Sequence, residues 1–373
     1  MSIDADFPGG NIVVERVEGQ VVYLHQDLRD TRGNWFWWHF RVRGAAGRTL
    51  TFRFTRGKVI GVRGPAVSLD EGRSWAWLGK CPDTGSFTYR FPADAHSVRF
   101  AFAMPYLQAN LEEFLKRFAG NPAFRLERLC GTRKGRTAER IRLGRLDGRA
   151  RHRVAITCRH HACESLASYA LEGIIEAVLA EGPTSRWLRE NVEFLVVPFV
   201  DKDGVGDGDQ GKNRKPHDHN RDYGEEPIYP TVRAIKELLP RWGAGRLRVA
   251  LDLHCPYIRG AHNEVIYLVG SAEPRIWAEQ QCFGQILERV QTGPLKYRAA
   301  DNLPFGKAWN TERNFAGGVS FSRWASRLPG IALATTIEIP YANASGREVN
   351  PATARAFGRD LAGALRHYLA RLP

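Results

Sequence analysis

The stretch Arg159-His160-His161-Ala162-Cys163-Glu164 decides how the chain is read. It follows the apolar run Val154-Ala155-Ile156-Thr157, which predicts a buried strand, and precedes Leu166 to Leu179, which predicts a helix. His161 and Glu164 therefore fall where a strand ends and a helix begins. In an open α/β sheet, the crevice at the carboxyl ends of the strands is where ligands bind. An imidazole and a carboxylate three residues apart can face one point, and both are zinc donors. A capped helix start with a satisfied histidine is the plainer alternative. A metal site needs a third donor, and a catalytic one keeps a fourth position open. Arg248 to His254 is a second strand-like apolar run, and it ends in a histidine.

Around this stretch, 373 residues leave room for one large domain or two ordinary ones. A hydrophobic fraction of 43% suits a folded core, and no apolar run is long enough to span a bilayer. The opening Met1 to Asp6 is acidic and polar, unlike a signal peptide. These features predict a cytoplasmic protein without a membrane partner. Six cysteines without close spacing predict reduced thiols. A net charge of +14 suggests a nucleic-acid partner. Against it, the arginines are scattered, with no basic tail and no aromatic-interleaved basic motif. No nucleic acid is expected; an anionic peptide substrate explains the charge equally well. Nothing in the sequence sets the oligomeric state.

Residues up to about 103 read as short strands rich in aromatic and β-branched residues: 12–14, 21–24, 35–42, 50–54, 59–62, 86–91 and 98–102. Turn-forming stretches such as Gly44 to Gly47 and Pro82-Asp83-Thr84-Gly85 separate them. This spacing predicts a sandwich or small barrel, with Trp35 to Phe40 in its core. Helical spacing follows over Leu107 to Phe118. Strands and helices then alternate: strands at 124–129, 141–143, 154–157, 194–200, 247–253 and 332–339, helices at 165–180, near 231–239, 275–290 and 352–370. The expected architecture is an N-terminal antiparallel β-sandwich, residues 1–106. An α/β domain follows, residues 107–373, with a mixed, largely parallel sheet and helices on both faces.

Two further stretches carry chemistry. The run Gly211 to Tyr223 is too polar and too rich in turn formers for a core. It reads as a solvated loop or as a functional one, since long irregular loops in compact domains often serve function. Asn220 and Arg221 suit a clamp on a carboxylate. Asp218 suits the far nitrogen of a metal-bound imidazole. In Ala334 to Tyr341, Glu338 lies inside an apolar strand. It is either a paired core carboxylate or a general base beside a metal.

His161-x-x-Glu164, Asp218-x-Asn220-Arg221, Asp252-Leu253-His254 and Thr336-x-Glu338 occur in the order seen in zinc metallocarboxypeptidases of the carboxypeptidase A type, which the chain resembles. Trp35-Phe36-Trp37-x-x-Phe40, Ala101-x-Ala103-x-Pro105-Tyr106 and Leu111-x-x-Phe114-Leu115 look like the cytosolic carboxypeptidase branch. The resemblance covers nearly the whole chain. It implies one zinc ion on His161, Glu164 and His254, with Glu338 as the catalytic glutamate. It implies that Asn220 and Arg221 hold the terminal carboxylate of a peptide or protein substrate, and that Arg214 polarises the scissile carbonyl. Cys163 and Cys255 stand where the family has glycine, and His219 where it has leucine. The family's lid tyrosine has no counterpart in Arg313 to Gly318.

The expected activity is zinc-dependent removal of a C-terminal residue through a peptide or isopeptide bond. An acidic residue is suggested by the basic charge and by Arg313 and Arg323. A zinc amidohydrolase of N-acyl amino acids would use the same metal triad, and a non-catalytic binding module is the alternative from another class.

Overall fold

The computed structural model describes all residues, 1–373. The first hundred form two sheets face to face. One has five strands in the order Ser2–Asp4, His39–Arg43, Ser97–Ala101, Ala66–Ser68, Ala76–Trp77; the other has four, in the order Val13–Glu18, Val21–His25, Thr49–Phe54, Ser86–Arg90. Alternation along each strand sends every second side chain inward. Phe40 and Phe100 of one sheet thus meet Phe52 of the other, each with ring centroids 5.3 Å apart.

The sandwich differs from a purely antiparallel one at a single pair. Val21–His25 and Thr49–Phe54 run parallel, because the chain between them crosses to the other sheet and returns. Two sequence expectations also change. Only His39–Arg43 of the run 35–42 is a strand, and 59–62 is not one; Ala66–Ser68 and Ala76–Trp77 supply those pairings instead. Phe36 to Trp38 are buried, and Trp37 exchanges two backbone hydrogen bonds with the Gln210 amide of the second half of the chain, while Trp35, expected in the core, stays partly exposed.

The second half is a seven-stranded sheet in the order Phe124–Gly131, Thr137–Gly144, Val192–Val197, His152–Cys158, Leu247–His254, Leu333–Glu338, Tyr267–Val269. The four strands from Val192–Val197 to Leu333–Glu338 are parallel, and the flanking ones antiparallel. The central strands are buried almost throughout because both of their faces are covered. Val154, Ile156, Leu251 and Ile337 pack with the helices Ser165–Leu179, Pro274–Val290 and Pro351–Ala370. Ala155, Ala250 and Ala334 alternate to the opposite layer, against Pro230–Gly243 and Phe321–Ala325. Helices Ser165–Leu179 and Pro351–Ala370 cross so closely that a Cβ on Gly173 would lie 2.0 Å from the Arg355 carbonyl oxygen. No helix is long and apolar enough to cross a membrane.

This sheet puts three chain ends in one place. Thr157 pairs with Asp252 in register, Asp252 with Thr336, and His254 with Glu338. The segments after Cys158, His254 and Glu338 therefore share one sheet edge.

Candidate metal centre and cleft

The turn after Cys158 is built around Arg159. Its backbone is left-handed (φ +59), and its guanidinium is buried, donating to the carbonyls of Tyr106 and Ala162 and to the Ser168 hydroxyl. A non-glycine residue there is unusual. The buried hydrogen bonds hold it, and they wrap residues 160–164 over the start of helix Ser165–Leu179.

His161 Nδ1 lies 2.9 Å from Glu164 Oε1, and His254 Nδ1 lies 2.7 Å from Glu164 Oε2. One donor atom from each of the three residues falls within a 4.8 Å cluster able to hold a metal ion. Although His254 is that close, Glu164 Oε2 has no aligned hydrogen-bond donor and is buried. Two imidazole nitrogens and an unsatisfied carboxylate oxygen converging on one point fit a zinc ion. Each far nitrogen faces a carboxylate, closely at His254 and more loosely at His161. His254 Nε2 is 2.7 Å from Asp252 Oδ2, and His161 Nε2 is 3.6 Å from Asp218 Oδ1.

Electrostatics agree with a cation there. Burial would raise the Glu164 carboxyl, but Lys212, His161 and His254 outweigh it and hold the group well below its usual range. Burial would lower His254, but Asp252 and Glu164 hold it well above the usual imidazole range. Glu338 ends its strand beside His254, with Oε2 buried and unpartnered, and burial raises its carboxyl despite His254 and Lys212.

A cleft of about 410 Å³ opens over this cluster. His161, His254, Asp218, Asn220, Arg221 and Glu338 all line it. The Asn220 side-chain oxygen accepts from the Phe321 amide at 3.0 Å, and its side-chain nitrogen lies 3.2 Å from His254 Nε2. Arg221 donates to the carbonyls of Asn220 and Asn314. Trp35, Tyr257 and Trp309 stand at the cleft, and the Trp309 indole donates to the Tyr267 hydroxyl at 3.3 Å.

Arg214 is not brought to the cleft. Its guanidinium lies 2.6 Å from Asp201, 3.0 Å from Asp209 and 3.5 Å from Asp30. It lines a separate polar cavity with His219 and Tyr229. Three buried carboxylates outcompete the open cleft for one guanidinium, and they push its pKa up despite burial. Arg313 and Arg323 are also absent from the cleft lining. Arg323 is 2.6 Å from Glu312 and stacks over Phe315.

Two residues given no role from the sequence, Lys212 and His160, also belong to this region. Lys212 lies 2.9 Å from Glu164 Oε1 and lines the cleft. His160 links Asp252, 2.7 Å from its Nδ1, to the Tyr223 hydroxyl, 2.8 Å from its Nε2. The adjacent pair His160-His161 was the available signal for that relay. Cys163 and Cys255 are buried free thiols outside the metal-competent groups. Burial pushes Cys163 up to about 12.

Comparison with known proteins bears on the same residues. Residues 3–102 match the family description "Cytosolic carboxypeptidase N-terminal domain", and residues 111–232 match "Zinc carboxypeptidase". The second match contains His161, Glu164, Asn220 and Arg221 and ends before His254 and Glu338. Human cytosolic carboxypeptidase 1 is 28% identical over 218 residues, 53% of this chain and 18% of that protein. Zebrafish (Danio rerio) cytosolic carboxypeptidase 2 is 23% identical over 345 residues, 82% of this chain and 46% of that protein. The chain thus spans less than half the length of either relative. A metallo-carboxypeptidase from Burkholderia cenocepacia shares the fold end to end, with a TM-score of 0.82 at 20% identity, covering 100% of this chain and 99% of that one. The chain thus joins a segment matching the cytosolic carboxypeptidase N-terminal domain, residues 3–102, to one matching the zinc carboxypeptidase family, residues 111–232.

Proposed function

We propose that the protein is a metallocarboxypeptidase that hydrolyses the C-terminal bond of a peptide or protein. The observation that carries this reading is the convergence of His161, Glu164 and His254 on one point with Glu338 in register beside them. His161, Glu164 and His254 would hold one zinc ion. Zinc, when bound, supplies a Lewis acid for the carbonyl and acidifies water. Asp218 and Asp252 orient the two imidazoles through their far nitrogens.

Glu338 takes a proton from the attacking water and returns it to the leaving amine. An unpartnered, buried carboxylate oxygen suits that task, since no donor has to be displaced first. Arg221 and Asn220 hold the substrate's terminal carboxylate and so select the last bond. Residues 1–106 and 107–373 act as two domains in this reading, with Trp35 of the first reaching the cleft of the second. Unpaired cysteines throughout favour the cytoplasm. Arg323, paired with Glu312, lends no support to an acidic substrate side chain.

The test compares a zinc-loaded sample on a free-acid peptide, the same peptide amidated at its C-terminus, and an N-acyl amino acid. Release of the last residue from the free acid alone is expected. Turnover of the N-acyl amino acid without turnover of the peptide would favour the amidohydrolase.

A further inference from the structure

We propose that Lys212 is a catalytic residue, its ammonium placed to receive the scissile carbonyl oxygen in the role that the sequence pattern gives to Arg214. This rests on the carboxypeptidase reading above. The cleft is lined by three cationic side chains, Lys212, Arg221 and Arg259. Arg221 serves the terminal carboxylate. Arg259 is exposed at the rim and donates to the Lys58 carbonyl. Lys212 alone is set against the metal-binding cluster, 2.9 Å from Glu164 Oε1. An ammonium has three donors. Glu164 is the one carboxylate within ion-pair reach, and Lys212 Nζ donates to no carbonyl or hydroxyl. The Trp35 ring lies 5.5 Å from Nζ. Donors remain for a carbonyl oxygen entering the cleft.

The backbone is shaped to deliver this side chain. Gly211 is left-handed (φ +82), and a Cβ there would lie 2.1 Å from the Ala162 nitrogen. Any other residue would push the loop off the ligand turn. Asn213 is also left-handed (φ +51), and the turn sends Lys212 to the cleft while Arg214 goes to Asp201, Asp209 and Asp30. The N-terminal domain clamps the loop from outside. Asp30 accepts from the Gln210 and Gly211 amides at 3.1 and 2.9 Å, and the Thr31 hydroxyl donates to the Lys212 carbonyl at 2.5 Å. Arg214 and the β-sandwich are positioning elements in this arrangement, and Lys212 is the group they position.

The experiment measures kcat, KM and bound zinc for K212M, K212Q and K212R. It adds the infrared stretch of a ¹³C-labelled scissile carbonyl bound to zinc-loaded E338Q with and without K212M. K212M and K212Q are expected to keep one zinc per chain and a KM within a few-fold. Their kcat should fall about 10²–10³-fold, as for loss of an oxyanion donor, and K212R should recover part of it. The bound carbonyl should shift back toward its free frequency when K212M is added to E338Q. If wild-type protein cleaves no peptide, the carboxypeptidase reading fails and the assignment falls with it. If wild-type protein is active and the neutral variants match it, only the Lys212 assignment fails. Zinc loss from the neutral variants, with full turnover restored by excess zinc, would make Lys212 a support for Glu164 and overturn it too. An unchanged carbonyl frequency would do the same.

Discussion

His254 and Glu338 are register partners on adjacent parallel strands, each the last residue of its strand. The chain thereby places an imidazole 2.7 Å from Glu164 beside a carboxylate with a free oxygen. Different consequences follow from removing each.

Replacing either histidine of the cluster should abolish zinc binding, with unequal effects on stability. His254 touches two buried carboxylates, at 2.7 Å each, whereas His161 holds Glu164 at 2.9 Å and Asp218 only at 3.6 Å. Breaking a buried charge pair costs about 3–5 kcal/mol. In metal-free protein, H254A should therefore unfold at lower denaturant than H161A. Equal midpoints for the two would show that Asp252 and Glu164 find other partners.

E338Q keeps the shape of the side chain and removes its basicity. Zinc stoichiometry should match the wild type, while kcat falls about 10²–10⁴-fold. Near-normal turnover would assign the proton transfer to another group.

Arg221 should matter for the end of the substrate and not for its chemistry. Charge-assisted hydrogen bonds are worth about 1.5–3 kcal/mol. R221A should thus lose roughly 10–150-fold in kcat/KM on free-acid peptides, mostly through KM, measured by initial rates. A loss confined to kcat would place Arg221 at the reacting bond.

An acid-sensitive position lies in the N-terminal domain. His39 is buried between Phe7 and Trp75, and burial, helped by Arg99, lowers its pKa from 6.5 to about 3. The unfolded chain binds this proton first. The stabilising contribution of neutral His39 is complete above about pH 6.5 and is lost as pH falls toward 3. Each unit in that window costs up to about 1.4 kcal/mol. H39F, which cannot titrate, should show a shallower fall of unfolding free energy between pH 6 and 4 by urea titration. Parallel slopes would exonerate His39.

Much of this protein was legible in the sequence because its signals are local. Val154 to Leu179 declares a buried strand, a turn and a helix through composition and period alone. The observed strand His152–Cys158 and helix Ser165–Leu179 follow that reading. The order of the His-x-x-Glu, Asn-Arg, Asp-x-His and Thr-x-Glu pieces is likewise written along the chain. What only the tertiary structure decided is where competing side chains of one type go. Lys212 and Arg214 are both cations in one polar loop, and residue type alone does not decide which one faces the cleft. The separation comes from Asp30, Asp201 and Asp209, brought from both halves of the chain to one guanidinium, and from the left-handed turn at Asn213. His160, Asp252 and Tyr223 join for the same reason, since sheet register is a pairing between segments far apart in the chain. Period and composition report the environment of a residue; partners depend on which distant charges the fold carries to it.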